Sequence, residues 1–110
     1  MEDFDKLLQQ VKSYNIDVSI LIVCAGLLST GSLENVEPEE VQAVMDVNMY
    51  HPTAIIKKFL PELIERANDG EKIHSAVVLV SSLTDGIAGP NVATYAASKA
   101  YLTYLGKGLS

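Results

Sequence analysis

Two short apolar runs constrain this chain more than anything else in it: Asp17-Val-Ser-Ile-Leu-Ile-Val-Cys24 and Ser75-Ala-Val-Val-Leu-Val-Ser-Ser82. Both are β-branched and carry few polar breaks, the pattern of strands covered on both faces. The stretch between them reads as helix. Pro38 suits a first turn, and Glu39 and Glu40 suit its positive end. An apolar stripe follows through Val41, Val44 and Met45, and its next place belongs to Asn48. Pro52 predicts a kink or interruption, and Pro61 a second one. The stripe resumes with Ile55 or Ile56, Phe59, Leu60 and Leu63, and Asn68-Asp69-Gly70 is a turn signal. A strand, a crossover helix and a second buried strand imply a parallel pair joined by a right-handed connection. Glu2 to Tyr14 adds a helix in front, with Phe4, Leu7, Leu8 and Val11 on one face and Asn15 as its end. Ala93 to Leu109 adds an Ala-rich helix behind. Segments 27–36 and 83–92 are loops. The order is α-β-α-β-α, an α/β chain.

The bulk properties narrow the partners. At 110 residues the chain is one small domain, and 48% hydrophobic against 20% charged residues is the balance of a folded protein. A net charge of -6 argues against nucleic acid, whose phosphates need clustered Lys and Arg. The longest apolar run, Ile20 to Leu28, is too short to span a bilayer. Met1-Glu-Asp-Phe-Asp5 is acidic and is no signal peptide. The lone Cys24 cannot form an internal disulfide, so an intracellular, cytoplasmic setting is expected, with any membrane anchor lying upstream of Met1. Cys24 itself reads as a small buried hydrophobe. His51 and His74 lack a third ligand at metal spacing, so no metal is expected.

Ligands of parallel α/β sheets sit outside the carboxyl ends of the strands. Here those ends are Cys24-Ala25-Gly26 and Ser81-Ser82. The following helix carries Tyr95 and Lys99, four residues apart and on one face. An ammonium one turn from a phenol favours its ionised form. With a hydroxyl from a strand end bonded to the same substrate oxygen, the three make a proton-transfer site for a carbonyl or an alcohol. The pair alone carries little weight, because Lys is a common residue. A surface Tyr beside a solvated Lys is its plain alternative. A strand-end hydroxyl is the plain alternative for Ser82, and a structural amide for Asn48. A buried amide must be hydrogen-bonded, so Asn48 needs a specific partner on either reading. The spacing of Gly26, Gly31 and Ser32 lacks the Lys of a P-loop and is rejected as one.

In these four places the chain resembles the short-chain dehydrogenase/reductase family. Asp17 to Gly26 is similar to the strand ending in the family's Asn-Asn-Ala-Gly motif, with Val23-Cys24 where two Asn usually stand. Asp46-Val-Asn48 is similar to the helix motif with the family's Asn. Val80-Ser-Ser82 is similar to the strand end with its Ser, and Tyr95-Ala-Ala-Ser-Lys99 matches its Tyr-x-x-x-Lys signature. The resemblance covers about Asp17 to Ser110, and it implies part of a Rossmann-like doubly wound parallel sheet. On it, residues 1–110 are a single partial domain, the central part of an NAD(P)-binding domain. A Gly-rich phosphate-binding turn and the later strands have no counterpart in the chain.

Roles follow from the resemblance alone. Tyr95 is the general acid in reduction and the base in oxidation. Lys99 holds the nicotinamide ribose and lowers the Tyr pKa. Ser82, thirteen residues before Tyr95, bonds the substrate oxygen. Asn48 positions a water in a proton relay that includes Lys99. Cys24, Ala25 and Gly26, with Tyr95 and Lys99, line the cofactor, Ala25 and Gly26 on its adenosine side; the cofactor is NAD or NADP, with NADP preferred. The implied reaction interconverts a ketone and a secondary alcohol, steroid-like or 3-oxoacyl in class, within a homo-oligomer built through helices 39–66 and 93–109. The alternative is a catalytically inactive fragment that serves only as a dimerisation module. Taken by themselves, two parallel strands and three helices leave apolar faces and strand edges uncovered, so instability as a monomer is expected.

Overall fold

The computed structural model describes residues 2–70 and 74–110. Helix α1 spans Glu2–Ser13, with Glu2, Asp3 and Asp5 in its first turn and Lys12 in its last. Both signs oppose the helix dipole. The helix ends where Asn15 adopts a left-handed φ of 56°, a conformation its short polar side chain tolerates. Strands β1 (Ile20–Val23) and β2 (Ala76–Leu79) form a two-stranded sheet. The Ala76 N–H bonds the Ser19 carbonyl and the Val80 N–H bonds the Val23 carbonyl, both at 3.0 Å. Each strand advances by the same step between these bonds, as a parallel pair requires.

Both strands are shorter than their apolar runs, and the expectation that both faces are covered is corrected. Exposure alternates with the pleat: Ile20 is 57% exposed, Ile22 63% and Val78 43%, whereas Val23 is buried. A period of two is the signature of one covered face. The β-branched composition suits a pleated, half-buried surface and does not by itself say that the second face is covered.

The chain divides into two compact units, Met1–Ile22 with Thr53–Val78 and Val23–Pro52 with Leu79–Ser110. In the first, α1 is tied to helix α3 (His51–Ala67) by Lys12–Glu62 at 2.6 Å and by Lys58–Asp5. Such partly exposed pairs contribute roughly 0–1 kcal/mol each. The Arg66 Nε donates to both Asp17 carboxylate oxygens, at 3.1 and 3.0 Å, and its Nη1 donates to the His74 carbonyl at 3.1 Å. Ala54, Ile56, Phe59 and Leu63 form the buried line of α3. The predicted stripe therefore runs through Ile56 rather than Ile55. Pro61 does not interrupt α3, which continues through it to Ala67.

The second unit holds the carboxyl ends of both strands, helix α2 (Pro38–Met45), a π-helical segment at Asp46–Tyr50, and helix α4 (Ala93–Leu109). Val44, Ala96 and Leu102 are its apolar core. Met45 is 42% exposed, off the predicted stripe, because Val44 and Asn48 occupy the buried line four residues apart. In the π segment the His51 N–H bonds the Asp46 carbonyl, five residues back. The cause lies in Pro52. An α-helical ladder would ask its N–H to bond the Asn48 carbonyl, and proline has none. The helix is not interrupted at Pro52 as expected; it runs on from 38 to 67 and widens by one residue just before the proline. None of the described helices is long and apolar enough to cross a membrane.

Candidate active site

The predicted residues gather at the carboxyl ends of β1 and β2 and along α4, all within the second unit. The Ala93 start of α4 puts Tyr95 in its first turn and Lys99 on the same face one turn later. The Lys99 ammonium lies 5.7 Å from the centre of the Tyr95 ring. Lys99 is 4% exposed, and its Nζ donates to the Val80 carbonyl at 3.2 Å. A buried ammonium needs such acceptors, and this bond uses one of its three protons. From the segment after β1, Gly26 comes close to it. A Cβ at Gly26 would stand 3.1 Å from Lys99 Nζ and 3.8 Å from Asn48 Oδ1. Glycine is what lets the backbone after β1 pass so near a charged group.

Asn48 is fully buried, and its side chain is used to capacity in tying parts together. Its Oδ1 accepts the Leu27 N–H at 2.7 Å, while Nδ2 donates to the Leu27 carbonyl and to Ser98 Oγ, both at 2.9 Å. Ser98 Oγ in turn donates to the Tyr95 carbonyl at 2.7 Å. One amide thus pins the loop after β1 onto the turn of α4 that carries Tyr95. This is the structural role weighed for Asn48 from sequence, and it explains why an amide stands on an apolar stripe. The π segment that presents it is a feature that recurs at functional sites.

The two serines at the end of β2 have different duties. Ser81 Oγ donates to the Lys99 carbonyl at 2.8 Å. Ser82 caps the short 3-10 turn Leu83–Asp85, accepting the Thr84 N–H at 3.2 Å and the Thr84 hydroxyl at 3.0 Å. Ser82 therefore keeps its own proton for another acceptor, whereas Ser81 spends its proton on the helix. Cys24 is exposed, correcting the expected burial, because β1 stops at Val23 and the next residues leave the sheet. Ala25 and Gly26 are exposed with it. Thr103 and Asp85 were not singled out in the sequence, although Thr103 continues the spacing of Tyr95 and Lys99 by one more turn. In the first unit a cleft lined by Asp17, Glu62, Glu65, Arg66 and Asp69 is occupied by the Arg66–Asp17 pair and contains none of these residues.

Known proteins share this chain's sequence family and fold. The sequence model described as short chain dehydrogenase matches residues 1–110. Dehydrogenase/reductase SDR family member 7C of Xenopus tropicalis is 34% identical over 82 residues, 74% of this chain and 24% of that protein. Dehydrogenase RED2 of Cochliobolus heterostrophus is 32% identical over 91 residues, 83% of this chain and 32% of that one. Among solved structures, 3-ketoacyl-(acyl-carrier-protein) reductase from Brucella melitensis, complexed with NADH, superposes with a TM-score of 0.88 at 27% identity, covering 98% of this chain and 44% of that one. A 4-hydroxyisoleucine dehydrogenase complexed with NADH and succinate gives 0.84 at 26% identity, covering 98% and 48%. The chain thus spans about a quarter to a third of these two curated relatives and under half of the solved ones. Over the stretch it does span, this chain belongs to the short chain dehydrogenase family.

Proposed function

We propose that these residues form the proton-transfer core of an NAD- or NADP-dependent oxidoreductase that interconverts a ketone and a secondary alcohol. The observation that carries this reading is the Lys99 ammonium, buried between the carboxyl ends of both strands and one turn from Tyr95. The nicotinamide cofactor supplies the hydride. The residues present suit its nicotinamide-ribose half: a buried ammonium, the half-buried Tyr95, and Gly26, expected on the adenosine side but set beside Lys99, where its missing Cβ leaves room. Two solved relatives above 25% identity hold NADH.

In reduction, Tyr95 gives its phenolic proton to the carbonyl oxygen, and in oxidation it takes the proton back. Ser82 donates to the same oxygen with the hydrogen that its bonds to Thr84 leave available. Lys99 orients Tyr95 and the ribose, and Asn48 supports the relay by holding the neighbouring loop and helix turn. The substrate is an apolar ketone, 3-oxoacyl or steroid-like. Leu83, directly after Ser82, is 91% exposed and Ile87 is 73% exposed, an apolar lip beside the donor. A homo-oligomer through helices 39–66 and 93–109 belongs to the same proposal, supported by the exposure of Ile64 and Tyr104 on those helices.

The test is oxidation of NADH and NADPH by the whole natural polypeptide, offered ketones from short polar to long-chain 3-oxoacyl and steroid. The expected result is turnover of the apolar ketones, with NADPH preferred. Tyr95→Phe should lower it by roughly 10²–10⁴-fold, the usual worth of a positioned proton donor. Ketone turnover that Tyr95→Phe leaves intact would overturn the reading.

A further inference from the structure

We infer that Asp85 and Thr103 are positioning residues: their side-chain hydrogen bond latches the turn capped by Ser82 onto α4 and so sets the Ser82 hydroxyl against Tyr95 and Lys99. The inference rests on the roles proposed above for Ser82, Tyr95 and Lys99. Asp85 closes the 3-10 turn Leu83–Asp85, and its N–H bonds the Ser82 carbonyl at 3.2 Å. Across from it, Thr103 lies on the face of α4 that carries Tyr95 and Lys99, one turn beyond Lys99. The Thr103 hydroxyl donates to Asp85 Oδ2.

A count of protons assigns each bond. Ser81 and Thr103 have one hydroxyl hydrogen apiece. That of Ser81 goes to the Lys99 carbonyl at 2.8 Å, because its distance to Asp85 Oδ2 is 3.4 Å. That of Thr103 goes to the Asp85 carboxylate, which is nearer than Ser81 Oγ at 3.1 Å and is charged. A hydrogen bond to a carboxylate is about twice as strong as one between neutral groups. Beside the Lys99 ammonium on the Val80 carbonyl, two hydroxyl bonds therefore join the segment after β2 to α4. Ser81 fixes the backbone of Lys99, and Asp85 with Thr103 fixes the turn whose first residue is Ser82. The latch acts through the Ser82 hydroxyl at the cap of the turn, and it touches neither substrate nor cofactor itself.

The experiment uses the whole natural polypeptide and compares Thr103→Val, which keeps the shape and removes the hydroxyl, with Thr103→Ser, which restores it. With an apolar ketone and saturating cofactor, Thr103→Val should lower kcat by about 10- to 100-fold, the scale of a displacement near 1 Å. Thr103→Ser should return kcat to within about twofold of the parent. In a Ser82→Ala background, Thr103→Val should cost less than about twofold more, because residues that act through one another are not additive. An equal loss in both backgrounds, or no loss in either, would overturn the latch. Amide hydrogen exchange reads the same bond without turnover. In Thr103→Val the Thr84 and Asp85 amides should exchange about tenfold faster, while those of α1 stay unchanged. Unchanged exchange at Thr84 and Asp85 also overturns it. A parent polypeptide with no ketone turnover would refute the proposed function instead, and the exchange rates would then decide the latch by themselves.

Discussion

At the residue scale, Asn48 and Gly26 support the site in different ways, and each can be tested by itself. Asn48 holds both polar groups of Leu27 and the hydroxyl of Ser98. Asn48→Ala leaves these groups unpaired in a buried place, so unfolding in denaturant should show a loss of about 2–4 kcal/mol. Asn48→Asp should do no better, since it faces the Leu27 carbonyl with a second acceptor. Gly26→Ala would set a methyl 3.1 Å from Lys99 Nζ. The end of a lysine can swing aside, so the melting temperature should hold while the cofactor KM rises. An unchanged KM would show that the ammonium is not where the cofactor is bound. Tyr95 and Lys99 were legible in the sequence because helical spacing alone puts them on one face. The choice of Ser82 over Ser81 rested on a resemblance in spacing. Its physical basis, which serine spends its proton on the helix, depends on atoms 18 residues apart in sequence and leaves no mark in the local pattern. Asp85 and Thr103 escaped notice for the same reason.

At the scale of elements, the long helices were readable and the irregularities were not. The predicted limits of α4, Ala93 and Leu109, are those observed, because a run rich in Ala and free of Pro has little alternative to helix. The strands were drawn too long, since apolar composition continues past the point where ladder bonds stop. Pro52 signalled a break, but whether a chain answers a missing N–H by kinking, unwinding or widening by one residue is decided by what packs around it. Here it widens at Asp46–Tyr50. Removing one residue from that segment, for example Met49, should restore plain α-helix and turn everything beyond it by about 100°. Asn48 and Ile56 could then not both face inward, and loss of cooperative unfolding is the expected result. Pro61 makes the opposite prediction. It is exposed in the interior of α3, where proline costs a hydrogen bond, so Pro61→Ala should stabilise by about 1–3 kcal/mol. A lowered melting temperature would mean that Pro61 is needed where it stands.

At the scale of the whole molecule, the outward sides of both strands remain bare, with Ile20, Ile22, Val78 and Val80 all exposed. Parallel strands are ordinarily covered on both faces, and open edges invite pairing with other chains. Residues 1–110 by themselves should therefore associate as concentration rises, and sedimentation across a hundredfold dilution would register it. Ile22→Lys should weaken that association. A dilute monomer that melts cooperatively would contradict the expectation. The parallel pairing has a further consequence, for the order of events at the ribosome. Strand β1 is made some fifty residues before its partner β2, and at about 5–20 residues per second that interval is several seconds. Throughout it the newborn strand waits without the partner that its ladder groups bond in the fold. How fast this protein is translated between its two strands thus bears on how much of it survives to fold.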